Sequence, residues 1–509
     1  GGTTPPALAW DADEQGVTYV RLPKDSLFSA SLYHHKLGTE SETDREAFGQ
    51  GLSEVAEWEL TTSPGGKMTA ALVHFGDGAP YQLAFQTEDG WKMVVDEEAD
   101  IRAGGKWVSE GLLAVSHENA PRGEVRVYRP DGSFKVLIPQ SQWAVMEVRP
   151  IKGGLLVSRV WGDQQRVEHW NSKGEFVRVV PLPVDGIGLG SMASSGSSSE
   201  ALITYQSWTH PIRWVSYNAD SGKLRTVFEV PPVGNFDDIV LTRTEAVSKD
   251  GTRVPLVVLH HKSVTPNAER PPILYASGGF GVVQQPRYLG AKLAWLERGG
   301  VYAVANIRGG GEFGEPWHKG GQKTNKQNVF DDFYACAQAL QEAGWTNPQK
   351  LGIMGGSNGG LLVAASLVQH PQAFEAVVGL VGVYDSLGHE RFPNGRYNIP
   401  EYGATAVESE FKAVLGYSPL QNVKPGTPYP AVLLETGEND LRVAPWQTRK
   451  FGAALQAATT SGEPVLVLTK TNAGHGQGAS FSQKVGREAL SLSFMAQHLG
   501  LPESPITNK

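Results

Sequence analysis

Leu351-Gly-Ile-Met-Gly-Gly-Ser357-Asn-Gly-Gly-Leu-Leu-Val363 reads as a short buried strand, a tight turn with Ser357 at its tip, and a helix opening near Leu361. Its centre, Gly355-Gly-Ser357-Asn-Gly359, fits the G-x-S-x-G nucleophile elbow. Small flanking residues there allow the strained backbone that exposes a serine oxygen. With 60 glycines in 509 residues the bare pattern can arise by chance. The apolar Ile353 and Met354 before it and the alanine-rich apolar stretch after it supply the strand and helix that the elbow needs.

A serine hydroxyl is a poor nucleophile at neutral pH without a base, and the base needs an orienting acid. In α/β-hydrolases the three arrive in the chain order Ser, Asp, His, each after a strand. Downstream of Ser357, Tyr429-Pro-Ala-Val-Leu-Leu-Glu435 reads as a buried strand, and Asp440 lies in the loop leaving it. Pro464-Val-Leu-Val-Leu-Thr-Lys470 is the next strand, followed by His475 between Gly474 and Gly476. Taken singly, Asp440 is a surface loop acid and His475 an exposed histidine; their shared order and strand context make them acid and base. Asp385 is the competing acid, and it fits that order less well.

The composition suits a large soluble enzyme with two or more domains, 40% hydrophobic and 19% charged. A net charge of −8 and a pI near 5.9 argue against nucleic acid or an anionic membrane as the main partner. The single cysteine, Cys336, excludes an intramolecular disulfide and reads as a small core residue. No apolar run reaches membrane-spanning length, and Gly1 opens no signal-peptide pattern. The missing initiator methionine points to a processed or trimmed start. The compartment therefore stays open: soluble, in the cytoplasm or a periplasm.

The two halves of the chain differ. Residues 1–230 show short alternating strands broken by Gly, Asp and Asn turns, and one hairpin recurs. It runs over 81–95, 125–137, 167–179 and 213–227, with a weaker copy at 32–38. The turn glycines Gly38, Gly90, Gly132, Gly174 and Gly222 fall 42 to 52 residues apart, the period of β-propeller blades. A two-sheet sandwich would not repeat one hairpin at that period. From residue 231 to 509 strands alternate with helices: a lead-in hairpin over 240–259, strands at 273–275 and 301–305, a helix over 331–343, then the elbow. That alternation predicts a mainly parallel sheet with helices on both faces. The expected fold is an α/β-hydrolase domain preceded by an all-β propeller of about five blades.

The chain resembles the prolyl oligopeptidase family of serine peptidases. The resemblance rests on Gly278-Gly-Phe280, Ala305 through Gly320, Asn325 through Phe333, Gly355 through Val363, Tyr417 through Val423, Asp440-Leu-Arg442-Val443 and Ala473-Gly-His475-Gly476. It implies a hydrolase domain capped by a seven-bladed propeller that admits only short peptides, cleaved after proline without metal or cofactor. At about 45 residues per blade, the resemblance leads one to expect roughly two further blades and the N-terminal segment that the family packs on its hydrolase domain, beyond the five blades legible here. The expectation is that this part either is a separate N-terminal fragment that completes the propeller, and so a partner, or is lost to proteolysis; short peptides are the expected substrates. By resemblance Ser357 is the nucleophile, His475 the base and Asp440 its orienting acid. The N–H of Asn358 faces the oxyanion, and Arg442 binds a substrate carbonyl. Phe280, Val383, Tyr402 and Val443 line a proline-sized pocket; read without the family, these four are core residues and Arg442 a surface cation.

Two positions depart from the family pattern. Its second oxyanion donor is a tyrosine, and Ser277 stands there; losing one such donor typically costs about 10²–10³ in turnover. Its tryptophan that stacks on the substrate proline is replaced by Asn398. Either the pocket takes something other than proline, or another aromatic, Tyr397 or Trp446, supplies the wall. Three activities stay open: a proline-directed peptidase, a relative with altered specificity or acyl-transfer and esterase activity, and a propeller interaction module with a crippled hydrolase.

Overall fold

A computed structural model describes residues 7–182, 186–476 and 479–506. Five four-stranded antiparallel meanders occupy 8–48, 56–95, 101–138, 144–179 and 187–229. The recurring hairpin is the third and fourth strand of each blade. Gly38, Gly90, Gly132, Gly174 and Gly222 all have positive φ, between 72° and 102°. Such turns bar most side chains, which is why glycine recurs at the blade period.

Alternate residues of one strand serve two neighbours. In the third blade Leu112 and Ala114 pack with Leu72, Leu83 and Phe85 of the second, while Leu113 and Val115 pack with Val145, Val148 and Val157 of the fourth. A strand buried on both faces reads as a continuous apolar run, as Gly111–Ser116 does. The outermost strand turns to solvent, as Lys223–Glu229 does.

The second domain holds an eight-stranded sheet. Its strands are β1 (Ile239–Val247), β2 (Arg253–His261), β3 (Pro272–Tyr275), β4 (Val301–Ala305), β5 (Gly352–Gly356), β6 (Ala376–Leu380), β7 (Ala431–Gly437) and β8 (Val465–Lys470). They are ordered 1-2-4-3-5-6-7-8, antiparallel through β4 and parallel onward. The helices are α1 (Leu293–Leu296), α2 (Glu315–Lys319), α3 (Gln327–Glu342), α4 (Asn358–Gln369), α5 (Pro393–Tyr397), α6 (Ile399–Tyr402), α7 (Glu408–Tyr417), α8 (Pro445–Ala458) and α9 (Phe481–Leu499).

Strand alternation again sorts the cores. Ile353, Val377, Val432 and Leu434 meet α3, α4 and α8 on one face. Met354, Val378, Ala431 and Leu433 meet α1 and α9 on the other. The helix expected over 331–343 starts at Gln327, because Val329 and Phe330 are already buried against the sheet. Neither β6 nor α9 was among the expected elements. Among the described residues no helix is long and apolar enough to cross a membrane.

In every blade the loop between the second and third strands meets the hydrolase domain. Leu27 O accepts from the Tyr397 hydroxyl (2.7 Å), and Asp77 N–H donates to Tyr397 O (2.6 Å). Pro121 O accepts from Glu315 N–H, Gly162 N–H donates to Glu312 O, and Trp208 O accepts from Leu289 N–H (3.1, 3.0 and 3.0 Å). The propeller therefore sits over the carboxyl end of the sheet, where loops carry chemistry in α/β folds.

Candidate active site

β5 ends at Gly356 and α4 begins at Asn358, leaving Ser357 between them with φ 58° and ψ −119°. That conformation is strained for a residue with a Cβ. It is held by the Ser357 N–H, which donates to Leu380 O at the end of β6 (2.8 Å), and by the Ser357 carbonyl, which accepts from Gly360 and Leu361 (2.9 and 3.1 Å). Gly355 has to be glycine: a Cβ there would lie 2.2 Å from Gly359 O.

Asp440 and His475 follow the carboxyl ends of β7 and β8, so the sheet brings both to Ser357. Asp440 is 2% exposed. Its Oδ1 accepts the N–H groups of Arg442 and Val443, both at 2.9 Å, and its Oδ2 lies 2.7 Å from His475 Nδ1. A carboxylate only accepts, so Nδ1 carries the imidazole proton and Nε2 is bare. That bare nitrogen stands 3.0 Å from Ser357 Oγ and accepts its hydroxyl proton. Asp385 lies elsewhere, bonded to Lys450 Nζ (2.6 Å), Gln421 Nε2 (2.8 Å) and Gly388 N–H (3.0 Å). Burial opposes its ionisation, but Lys450 and these donors hold its carboxyl below the usual range.

Ser357 opens on a cavity of about 750 Å³ between the two domains. Ser277, Phe280, Asn358, Val383, Asn398, Tyr402, Arg442 and Val443 all stand on its wall. Phe280 meets Tyr402 edge-on, with centroids 5.6 Å apart. Asn358 is fixed from both ends, donating from Nδ2 to Ser277 O (2.5 Å) and accepting from the Tyr402 hydroxyl on Oδ1 (3.0 Å). Its backbone N–H, at the first position of α4, has no partner within the helix.

Of the two alternatives for the wall, neither candidate aromatic, Tyr397 or Trp446, is among the residues that line the cavity. Tyr397 is turned to the first blade, stacked on Phe28 at 5.8 Å, and Trp446 packs under Lys450. Asn398 fills its place by hydrogen bonding to Asp77 and His389 (2.7 and 2.8 Å).

The propeller supplies wall residues that no sequence motif announced, among them Asp77, Tyr81 and Arg102. Beside them a buried charge chain crosses between the domains. Lys326 Nζ donates to Glu401 Oε1 (2.8 Å) and Gly278 O (3.0 Å). His318 Nε2 meets Glu401 Oε2 (2.8 Å) and Nδ1 faces Glu315 (3.4 Å), which pairs with Arg102 of the third blade (3.1 Å). Burial alone would lower the His318 pKa; Glu315 and Glu401 outweigh it and raise it to about 9. Lys326, at 1% exposure, also anchors the Gly278-Gly279-Phe280 turn that forms one side of the cavity.

Residues 2–230 match the profile described as prolyl oligopeptidase, N-terminal beta-propeller domain, and residues 287–502 match that of the prolyl oligopeptidase family. The dual function macrocyclase-peptidase POPB of Amanita bisporigera is 31% identical over 97% of this chain and 71% of its own length. The chain belongs to the prolyl oligopeptidase family. A prolyl endopeptidase of Elizabethkingia miricola is 37% identical over 66% of this chain, a match spanning about half, 48%, of that enzyme. Among solved structures, one described as part of a mechanistic analysis of two prolyl endopeptidases superposes with a TM-score of 0.92 at 31% identity. It covers 98% of this chain and 75% of the other.

Proposed function

We propose that this family member is a serine peptidase that hydrolyses short peptides on the carboxyl side of proline through an acyl-enzyme. The observation that carries the proposal is the Asp440–His475–Ser357 chain of hydrogen bonds opening on a cavity roofed by the propeller. In this reading Ser357 Oγ attacks the scissile carbonyl while His475 Nε2 takes its proton. Asp440 holds the tautomer and stabilises the imidazolium. The oxyanion develops against the Asn358 N–H, with Ser277 too short to stand in for a phenol donor. His475 then protonates the leaving amine, and water, deprotonated by the same nitrogen, releases the acid.

Phe280, Val383, Tyr402 and Val443 receive the proline ring, and Arg442 binds a carbonyl on the acyl side. The cavity is too small for a folded protein, which limits substrates to short segments. A serine-directed phosphonate should label Ser357 stoichiometrically. Ser357→Ala or His475→Ala should lower hydrolysis of a proline peptide by several orders of magnitude. Absence of labelling, or retention of more than about a tenth of kcat in either variant, would overturn the assignment. The relative named a macrocyclase-peptidase supports a second reading, in which a peptide's own amino terminus intercepts the acyl-enzyme in place of water. A product lighter than the hydrolysed peptide by one water distinguishes the two.

A further inference from the structure

The wall at Asn398 is tied to the propeller by a hydrogen-bond chain whose direction is fixed at every link. Gln447 on α8 is fully buried, and its Oε1 accepts the N–H groups of Tyr384 (2.9 Å) and Asp385 (3.0 Å). Its amide nitrogen is therefore the atom facing His389 Nδ1, at 3.0 Å, and a donor there requires Nδ1 to be bare. The His389 proton then sits on Nε2 and is donated to Asn398 Oδ1 at 2.8 Å. The Asn398 amide nitrogen is left as a donor, and it meets Asp77 Oδ2 at 2.7 Å. His389 and Asn398 are 2% and 6% exposed. Burial keeps the His389 pKa below its ordinary value, in keeping with a neutral ring.

The ends of this chain matter. Tyr384 follows the pocket residue Val383, and the His389 ring stands edge-on to Tyr402 at 5.8 Å. At the far end, Asp77 lies in the second-blade loop, whose backbone is itself bonded to Tyr397.

We propose that Asp77 is a positioning residue for the specificity pocket: through Asn398 and His389 it sets the wall formed by Tyr402 and Val383, so the pocket reaches its proline-selective form only with the second blade docked. This rests on the assignment of that pocket under Proposed function. A side chain that merely filled space would be indifferent to which partner donates. A directional link is not, and exchanging its donor and acceptor should preserve it.

The test compares kcat/KM for matched proline and alanine peptides in the full chain. Asp77→Ala should lower the proline-to-alanine ratio by roughly 10- to 100-fold, the range for losing a hydrogen bond to a charged group. Asn398→Asp, which sets two carboxylates face to face, should do the same. Asp77→Asn combined with Asn398→Asp should restore the ratio to within a few-fold, because the amide placed in the propeller loop then donates to the carboxylate placed in the wall. An unchanged ratio in Asp77→Ala, or a double variant as poor as Asn398→Asp, would overturn the proposal.

Amide hydrogen exchange over 393–402 reads the same link without turnover. It should rise in Asn398→Asp and fall back in the double variant, and exchange identical in all variants would refute the link whatever the activity. If that exchange pattern holds while the wild type cleaves no proline peptide, the proline assignment of the pocket falls and the directional link stands.

Discussion

Replacing Glu401 by glutamine should expose how strongly the cavity wall depends on buried charge. Glu401 is fully buried, and its carboxylate serves two cations, Lys326 Nζ and His318 Nε2, each at 2.8 Å. The His318 pKa is raised from its ordinary 6.5 to about 9, burial opposing the rise while Glu315 and Glu401 impose it. The folded value exceeds the unfolded one, so the resulting stability is fully present below about pH 6.5 and is lost as pH rises through about 9. The shift corresponds to about 3 kcal/mol at its full extent.

Glutamine cannot satisfy two cations, so Glu401→Gln strands a buried ammonium and should cost about 3–5 kcal/mol at neutral pH. It also removes one of the two supports of charged His318, so the loss of stability across this window should flatten. Urea unfolding followed by tryptophan fluorescence, at about pH 6 and about pH 9.5 on either side of the window, measures both effects. The gap between wild type and variant should be larger at the lower pH and should shrink by up to about 3 kcal/mol at the higher. Parallel pH profiles for the two proteins would show that Glu401 does not hold the His318 charge and would refute the reasoning.

Three further outcomes test the site. Gly355→Ala places a Cβ 2.2 Å from Gly359 O and should distort the elbow, lowering kcat at least about 10-fold and stability by about 1–3 kcal/mol; a wild-type kcat and unfolding midpoint would show that the turn can relax. Arg442→Ala should weaken kcat/KM for dipeptidyl substrates by about 1.5–3 kcal/mol more than for single-residue esters; equal losses on both would make Arg442 structural. Asn398→Trp should lower kcat/KM for proline and alanine peptides, and for proline the more steeply, because it breaks the bonds to Asp77 and His389 and overpacks a residue that is 6% exposed. A rise of roughly 2- to 12-fold in proline preference would show instead that the wall has room for a ring.

The sequence by itself determined what short-range geometry dictates. Turn glycines forced to positive φ marked five blades at a regular period. A short apolar strand before Ser357, the glycines at 355, 356 and 359, and the apolar helix after them marked the elbow. The order Ser357, Asp440, His475, each following a strand, was readable because parallel strands bring their carboxyl-terminal loops to one edge. β6 is not legible in the sequence because five apolar residues, Ala376–Leu380, fit strand and helix equally until neighbours pair with both edges.

Only the tertiary structure decided how the polar wall is assembled. Asp77 and Asn398 lie 321 residues apart in the chain and 2.7 Å apart in space. His318 and Glu401 are 83 residues apart and share a buried bond. Nothing local distinguishes Asp77 from any other loop acid, or Tyr397 from a pocket aromatic. The docked blades turn Tyr397 away from the cavity toward Leu27 and give Asn398 its partner. Backbone conformation and strand periodicity are set within a few residues of sequence, whereas a buried hydrogen bond needs its partner delivered from elsewhere at a distance near 3 Å, and only the packed domains deliver it.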